Sequence, residues 1–464
     1  VSGNSTEGNY AAGGGALLYY GTATLTNSTV SGNSTEGFDA GGGGAFLYYG
    51  TATLTNSMVS GNSTEGRRAG GGGLFFEYGE IHVTNCVVSD NSTTGNYSYG
   101  GGLYGRYGDA TLTNSTVSGN STEGYLAGGG GLFFEGGDLS LTNSTVSGNS
   151  TAHQSAGGGL AGVNGDVSLT NSTVSGNSAT GTSSVGGGIF LLFRDVGGTL
   201  SVSNSTLTGN HSDNMSGGIV LANYYNITLD LQSSILAGNS GPENNLYVLT
   251  EADSTVNASH SLFGDDSAEI SGTSTANIFD DAPALDPLAD NGCAAMAGDP
   301  NSGSACVLTH AVQADSPALD AGANPLAVST DQRGTGFPRT LGTQTDIGAF
   351  ERAQGAIELT PDGLDFGAVL VGETSNTQSL SVSNPGNGPL RVSAITTANA
   401  PFAATGGSCG APPFTVDPGD NCTLSYRFAP TATGPFAQTL TITSDAAAKT
   451  PTLSHNARAT SERT

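Results

Sequence analysis

Hydrophobic and polar positions repeat through the first half of the chain with a long period. The phrase Thr-Asn-Ser-Thr-Val-Ser-Gly-Asn, or a close variant, ends at Asn4, Asn33, Asn62, Asn91, Asn120, Asn149, Asn177, Asn210 and Asn239. Successive spacings are 29 residues five times, then 28, 33 and 29. Between these phrases, a Gly run at Gly13, Gly41, Gly70, Gly100, Gly128, Gly157, Gly186 and Gly217 leads into a short apolar stretch. Each period predicts two or three short strands separated by Gly- and Asn-rich turns. One such unit cannot bury its apolar residues, whereas stacked copies can. The expectation is an all-β chain whose residues 1–282 form a solenoid of about eight to nine parallel coils, each about 4.8 Å above the last.

Strand side chains alternate between faces, so columns of equivalent positions separate inside from outside. The column Ala16, Ala45, Leu74, Leu103, Leu132, Leu160, Ile189, Ile219 is uniformly apolar and reads as core. By alternation its neighbour faces outward: Leu17, Phe46, Phe75, Tyr104, Phe133, Ala161, Phe190, Val220. An outward apolar stripe (Leu17, Phe46, Phe75, Tyr104, Phe133, Phe190) is either an interaction surface or is covered by another part of the chain. The next outward column sets Arg106 between Glu77 and Glu135, an inter-coil charge ladder. The Asn columns read as left-handed turns and hydrogen-bonded ladders more than as glycosylation acceptors, although Asn27-Ser28-Thr29 fits the acceptor pattern. Cys86 replaces a Ser found in the other coils and reads as a buried thiol.

Two carboxylate columns stand out: Glu7, Glu36, Glu65, then Glu123 after Thr94, and Glu80, Asp109, Asp138, Asp166. Stacked like charges repel, and bound Ca²⁺ would relieve them, so both columns are candidate metal positions beside the plainer reading of a solvated acidic face. The whole chain is acidic, with 39 Asp and Glu against 12 Lys and Arg and a net charge of −27. That balance sets nucleic acid aside as a partner, because phosphate binding needs clustered Lys and Arg. With charged residues at 11% it is no helical bundle, and it has no apolar run of about 18 residues to span a membrane as a helix.

From about residue 241 the register decays. Leu285-Asp286-Pro287-Leu288-Ala289-Asp290-Asn291-Gly292, Ser316-Pro317-Ala318-Leu319-Asp320-Ala321-Gly322, Thr330-Asp331-Gln332-Arg333-Gly334 and Asp346-Ile347-Gly348-Ala349-Phe350-Glu351 follow in order. This series resembles the C-terminal signature of the choice-of-anchor Q family, bacterial surface proteins with a right-handed parallel β-helix. The resemblance implies that residues 283–354 end and cap the helix, with Asp–Arg pairs locking its last coil. The segment departs from the family in a longer insertion between Cys293 and Cys306, which read as a disulfide pair. From residue 355 to 464 the pattern becomes strand alternation with strong turns such as Asn384-Pro385-Gly386, predicting a β-sandwich. It resembles the immunoglobulin-like choice-of-anchor D modules, and Cys409 and Cys422 look like its disulfide pair. Two bridges and one buried thiol then account for all five cysteines and favour an oxidising compartment.

No nucleophile or paired-carboxylate motif emerges, so the expected catalytic set is empty and the chain is expected not to be an enzyme. The expected function is that of an extracellular or cell-surface structural or adhesive protein. Its expected partners are copies of itself or extracellular glycans. The alternative is a polysaccharide-binding protein or polysaccharide lyase or hydrolase, a fold-level analogy without residues to support it. Val1 lies in the tail of a repeat, and a solenoid cut there presents an unpaired edge. Head-to-tail assembly into a fibre, with the aromatic stripe adding lateral contacts, is therefore expected.

Overall fold

A computed structural model describes residues 1–461 except 251–253, 265–269, 281, 293–306, 343 and 447–451. It divides into two compact units, Val1–Glu351 and Arg352–Thr464. Among the described residues, the first carries a solenoid of three parallel sheets with 8, 10 and 17 strands. In the third coil, Ser63–Glu65 belongs to the 8-stranded sheet, Leu74–Glu77 and Glu80–Thr84 to the 17-stranded sheet, and Val87–Ser89 to the 10-stranded sheet. Pairing keeps the sequence period: Leu103 lies between Leu74 and Leu132, and Val88 between Val59 and Val117. The inward column is core as expected, with Leu74, Leu103, Leu132, Leu160, Ile189 and Ile219 all buried. Ala16, on the first coil, is exposed.

Asn supplies two ladders. One column turns the chain: Asn27, Asn56, Asn85, Asn114, Asn143 and Asn204 hold φ between 48° and 54°. The other is buried from Asn33 onward and bonds coil to coil. Asn62 Nδ2 donates to Asn91 Oδ1 at 2.9 Å, Asn91 to Asn120 at 2.9 Å, and Asn120 to Asn149 at 2.9 Å. Each Oδ1 also accepts a backbone N–H from the preceding coil, as from Asn91 to Asn120 at 3.0 Å. Interior backbone at the corners is thereby satisfied without water. Glycine does a different job beside it. Gly71 adopts φ +62°, and a Cβ on Gly72 would strike the Ser92 carbonyl.

The described residues of 283–351, expected to end and cap the helix, reach back past the last coil to Thr145, Asn171 and Thr206. They lie along the outer face of the 10-stranded sheet. Thr145 Oγ1 donates to Leu308 O at 2.8 Å, Asn171 Nδ2 to Thr330 O at 2.8 Å, and Gly348 N to Ser233 O at 2.9 Å. His310 Nε2 shares a 2.7 Å hydrogen bond with Ser175 Oγ, and its burial lowers its pKa. The reason lies in one outward column. It reads Thr145, Thr173, Thr206 and then turns apolar at Ile235 and Leu262. Val312, Ala318, Ile347 and Phe350 pack on Ile235 and Leu262 there.

The second unit is a sandwich. One sheet orders Glu358–Thr360, Gln378–Ser383, Asn421–Phe428 and Phe402–Gly406. The other orders Gly363–Leu370, Thr452–Thr460, Gly434–Ser444, Leu390–Ile395 and Phe414–Val416. Pairing is antiparallel except between Gly363–Leu370 and Thr452–Thr460, which run parallel. Leu380, Val382, Leu424, Phe428, Leu440 and Ile442 form its core.

Candidate binding surface

The outward aromatic column is not an open stripe. Leu17 is 57% exposed, but Phe46, Phe75 and Phe190 are half-buried, and Tyr104 and Phe133 are only 7% exposed. A narrow ribbon through Gly41, Gly70, Tyr99 and Gly128, bridged coil to coil, lies over the rings. Phe75 stacks on Tyr104 at 4.5 Å, and Tyr99 on Phe133 at 4.4 Å. A Cβ on Gly70 would strike the Tyr104 ring, so the glycines leave the room these rings fill. The column is a second small hydrophobic seam, separate from the main core.

The charge ladder forms as expected. Arg106 Nη1 lies 3.3 Å from Glu77 Oε1, and Arg106 Nε 3.4 Å from Glu135 Oε2. Tyr104 donates its hydroxyl proton to Glu135 Oε2 at 3.0 Å, tying the ladder to the buried seam. Burial pushes Glu77 up, opposed by Arg106.

The candidate metal columns do not assemble into sites. Glu7, Glu36, Glu65 and Glu123 are in register but exposed. In the second column the carboxylates serve the backbone. Asp109 Oδ1 accepts from Asp138 N at 2.9 Å, and Asp138 Oδ1 from Asp166 N at 2.9 Å. Among the described residues, no group of three or more His, Cys, Asp or Glu is placed to hold a metal ion.

Asp331, Arg333, Arg339, Asp346 and Glu351 come together as a buried lock. Arg333 Nη2 pairs with Asp331 Oδ2 at 2.6 Å and lies between the Phe337 and Phe350 rings, 4.0 and 3.8 Å from their centroids. Glu351 accepts backbone N–H groups from Leu341 and Asp346 at 2.8 and 2.9 Å. Burial, reinforced by Asp346, pushes the Glu351 carboxyl up to about 8. Cys86 is a buried free thiol that accepts the Ser57 N–H at 3.3 Å, and burial raises its pKa. Cys409 and Cys422 form a disulfide. Cys293 and Cys306 lie outside the described residues.

A further column, not singled out from the sequence, forms an exposed aromatic ladder. Tyr20, Tyr49, Tyr78 and Tyr107 sit where the 17-stranded sheet bends, each followed by glycine. They are 58, 43, 41 and 43% exposed. Their rings stack in sequence at 5.3, 4.9 and 5.2 Å. Beside them runs a groove of about 530 Å³, lined by Tyr49, Tyr78, Tyr107, Glu80, Asp109 and the backbone of Gly50, Gly79 and Gly108 among others. The signal was available as Tyr-Gly repeated every 29 residues.

A family model described as a right handed beta helix region matches residues 43–282, just over half the chain. A second, described as a HYDIN/CFA65/VesB-like Ig-like domain, matches residues 355–458. No curated protein matches. Among solved structures, a Porphyromonas gingivalis W83 protein of unknown function aligns at 23% identity and a TM-score of 0.20, covering 26% of this chain and 60% of its own. The Vibrio cholerae VesB protease aligns at 13% identity and a TM-score of 0.19, covering 22% of this chain and 31% of its own. The chain thus spans less than two thirds of either.

Proposed function

The chain belongs to the right-handed β-helix family, and we propose that it works outside the cell as a structural or adhesive surface protein, without catalysis. The observation that carries this reading is the unbroken coil geometry. The buried Asn ladder runs from Asn33 to Asn239 with every link between 2.8 and 2.9 Å. A catalytic cleft needs convergent groups held off the regular lattice. Here Asp109 and Asp138 accept backbone N–H groups, and Glu77 and Glu135 pair with Arg106 instead. The disulfide supports an oxidising compartment. The choice-of-anchor resemblances of residues 283–354 and 355–464 support the surface of a bacterial cell. Lateral fibre contacts through Tyr104 and Phe133 lose their support, since both rings are buried.

Two measurements test this. Antibody to residues 355–464 should label intact cells or the culture supernatant, not the cytosolic fraction. The purified chain should release no reducing or unsaturated sugar ends from a pool of polysaccharides. Cytosolic labelling, or robust turnover, overturns the proposal.

A further inference from the structure

From the exposed tyrosine column and its groove, we infer that the solenoid holds a linear, uncharged polysaccharide along the turn formed by Tyr20, Tyr49, Tyr78 and Tyr107. The inference rests on the adhesive reading and names its ligand class.

Three observations carry it. First, each tyrosine has a backbone conformation that bulky residues avoid, with φ of 61°, 51°, 54° and 54°. Two later coils place residues suited to that conformation at the same turn, Gly136 at φ 71° and Asn164 at φ 56°. The solenoid continues through those coils with its core intact, so coil propagation does not require tyrosine. Second, the groove repeats. Its Tyr and Gly positions recur once per coil, each followed by a polar residue (Thr22, Thr51, Glu80, Asp109), with rings about 5 Å apart. A polymer with a short repeat meets equivalent groups at successive coils, which one compact ligand cannot do. Third, the lining fits polyhydroxylated chains. Tyr49, Tyr78, Tyr107, Thr22 and Thr51 offer hydroxyls, and Glu80 and Asp109 offer acceptors for sugar O–H groups. Side chains cannot roof the floor, because a Cβ on Gly50 would come within 2.6 Å of the Gly21 carbonyl. Carboxylates at the groove, on a chain of net charge −27, repel anionic glycans and select uncharged ones.

The test uses the full chain and immobilised or dissolved galactomannan, amylose and hydroxyethyl cellulose, with alginate and polygalacturonate as anionic counterparts. The chain should be retained by at least one uncharged glycan and by neither anionic one. The double variant Tyr49→Asn/Tyr78→Asn, with residues the left-handed turn accepts, should lose at least tenfold in affinity. Tyr97→Asn, at another left-handed turn (φ 63°) away from the groove, should leave affinity unchanged. In the unaltered chain, the bound glycan should also protect Tyr49 and Tyr78 from nitration, which keeps the test open if the double variant fails to fold. Overturning results are no retention by any uncharged glycan, preference for an anionic one, retained affinity in the double variant, or absent protection. A sedimentation shift to monomer in that variant would make the column a self-association surface and overturn the inference equally. Cell-surface labelling with no glycan binding would sink this inference and leave the adhesive proposal standing.

Discussion

His455 is buried in the sandwich with its ring 4.5 Å from Tyr426, 5.4 Å from Phe402 and 6.0 Å from Phe366, and neither ring nitrogen has a hydrogen-bond partner. A charged imidazolium in that setting loses its hydration without compensation, so burial lowers its pKa. The folded state therefore keeps the ring neutral, while the unfolded chain takes up a proton near pH 6.5. Stability is present above that pH and is lost as pH falls through it, approaching about 1.4 kcal/mol per pH unit until the folded ring also protonates. Calorimetry at pH 7.5 and pH 5 should show the sandwich transition dropping by several degrees. In His455→Leu the drop should shrink markedly. An equal drop in both proteins would assign the acid sensitivity elsewhere.

At the scale of elements, the solenoid is held by identical contacts that differ only in burial. Asn120 Oδ1 accepts from the N–H and Nδ2 of Asn91, and its Nδ2 donates to Val88 O and Asn149 Oδ1. Asn120→Ala strands several buried polar groups at once, at about 1–3 kcal/mol each, so a loss of about 3 kcal/mol or more is expected. Asn4 makes the equivalent bond to Asn33 on an exposed coil, and Asn4→Ala should cost under about 1 kcal/mol. Urea unfolding of both variants checks the contrast, and equal losses would show that the ladder is not what the buried coils depend on. These elements were legible because a 29-residue period fixes register, and register fixes faces. What escaped had weaker patterns. The ribbon over Phe75 and Tyr104 is mostly glycine, which carries no periodicity. Strand Thr452–Thr460 went unnoticed because its inward residues are Leu453, His455, Ala457 and Ala459, small or polar where a core strand usually shows Val or Ile. The seat of residues 283–351 was written only in the switch from Thr206 to Ile235 along one outward column.

At the scale of the whole molecule, each unit has its own core, so each should respond separately to damage. The 10-stranded sheet is the exception to self-sufficiency within the solenoid. Its outer column is buried at Thr145, Thr173, Thr206, Ile235 and Leu262 only because residues 283–351 lie on it. Removing that cover exposes Ile235, Leu262 and Ile278 as a contiguous apolar strip on a sheet face, the kind of surface that associates. It also removes the partners of Thr145 and Thr173, though water can replace those on an exposed face. Chain 1–351 should therefore keep the solenoid transition of the full chain, because the sandwich core shares no residue with it. Chain 1–282 should associate or aggregate at concentrations where 1–351 does not. Changing Ile235, Leu262 and Ile278 to Thr in the short chain continues the hydroxyls of Thr145, Thr173 and Thr206 to the end of the column, and should restore solubility. A monomeric 1–282 with an unchanged melting curve would mean the flank segment is a passenger, and the buried column owes it nothing.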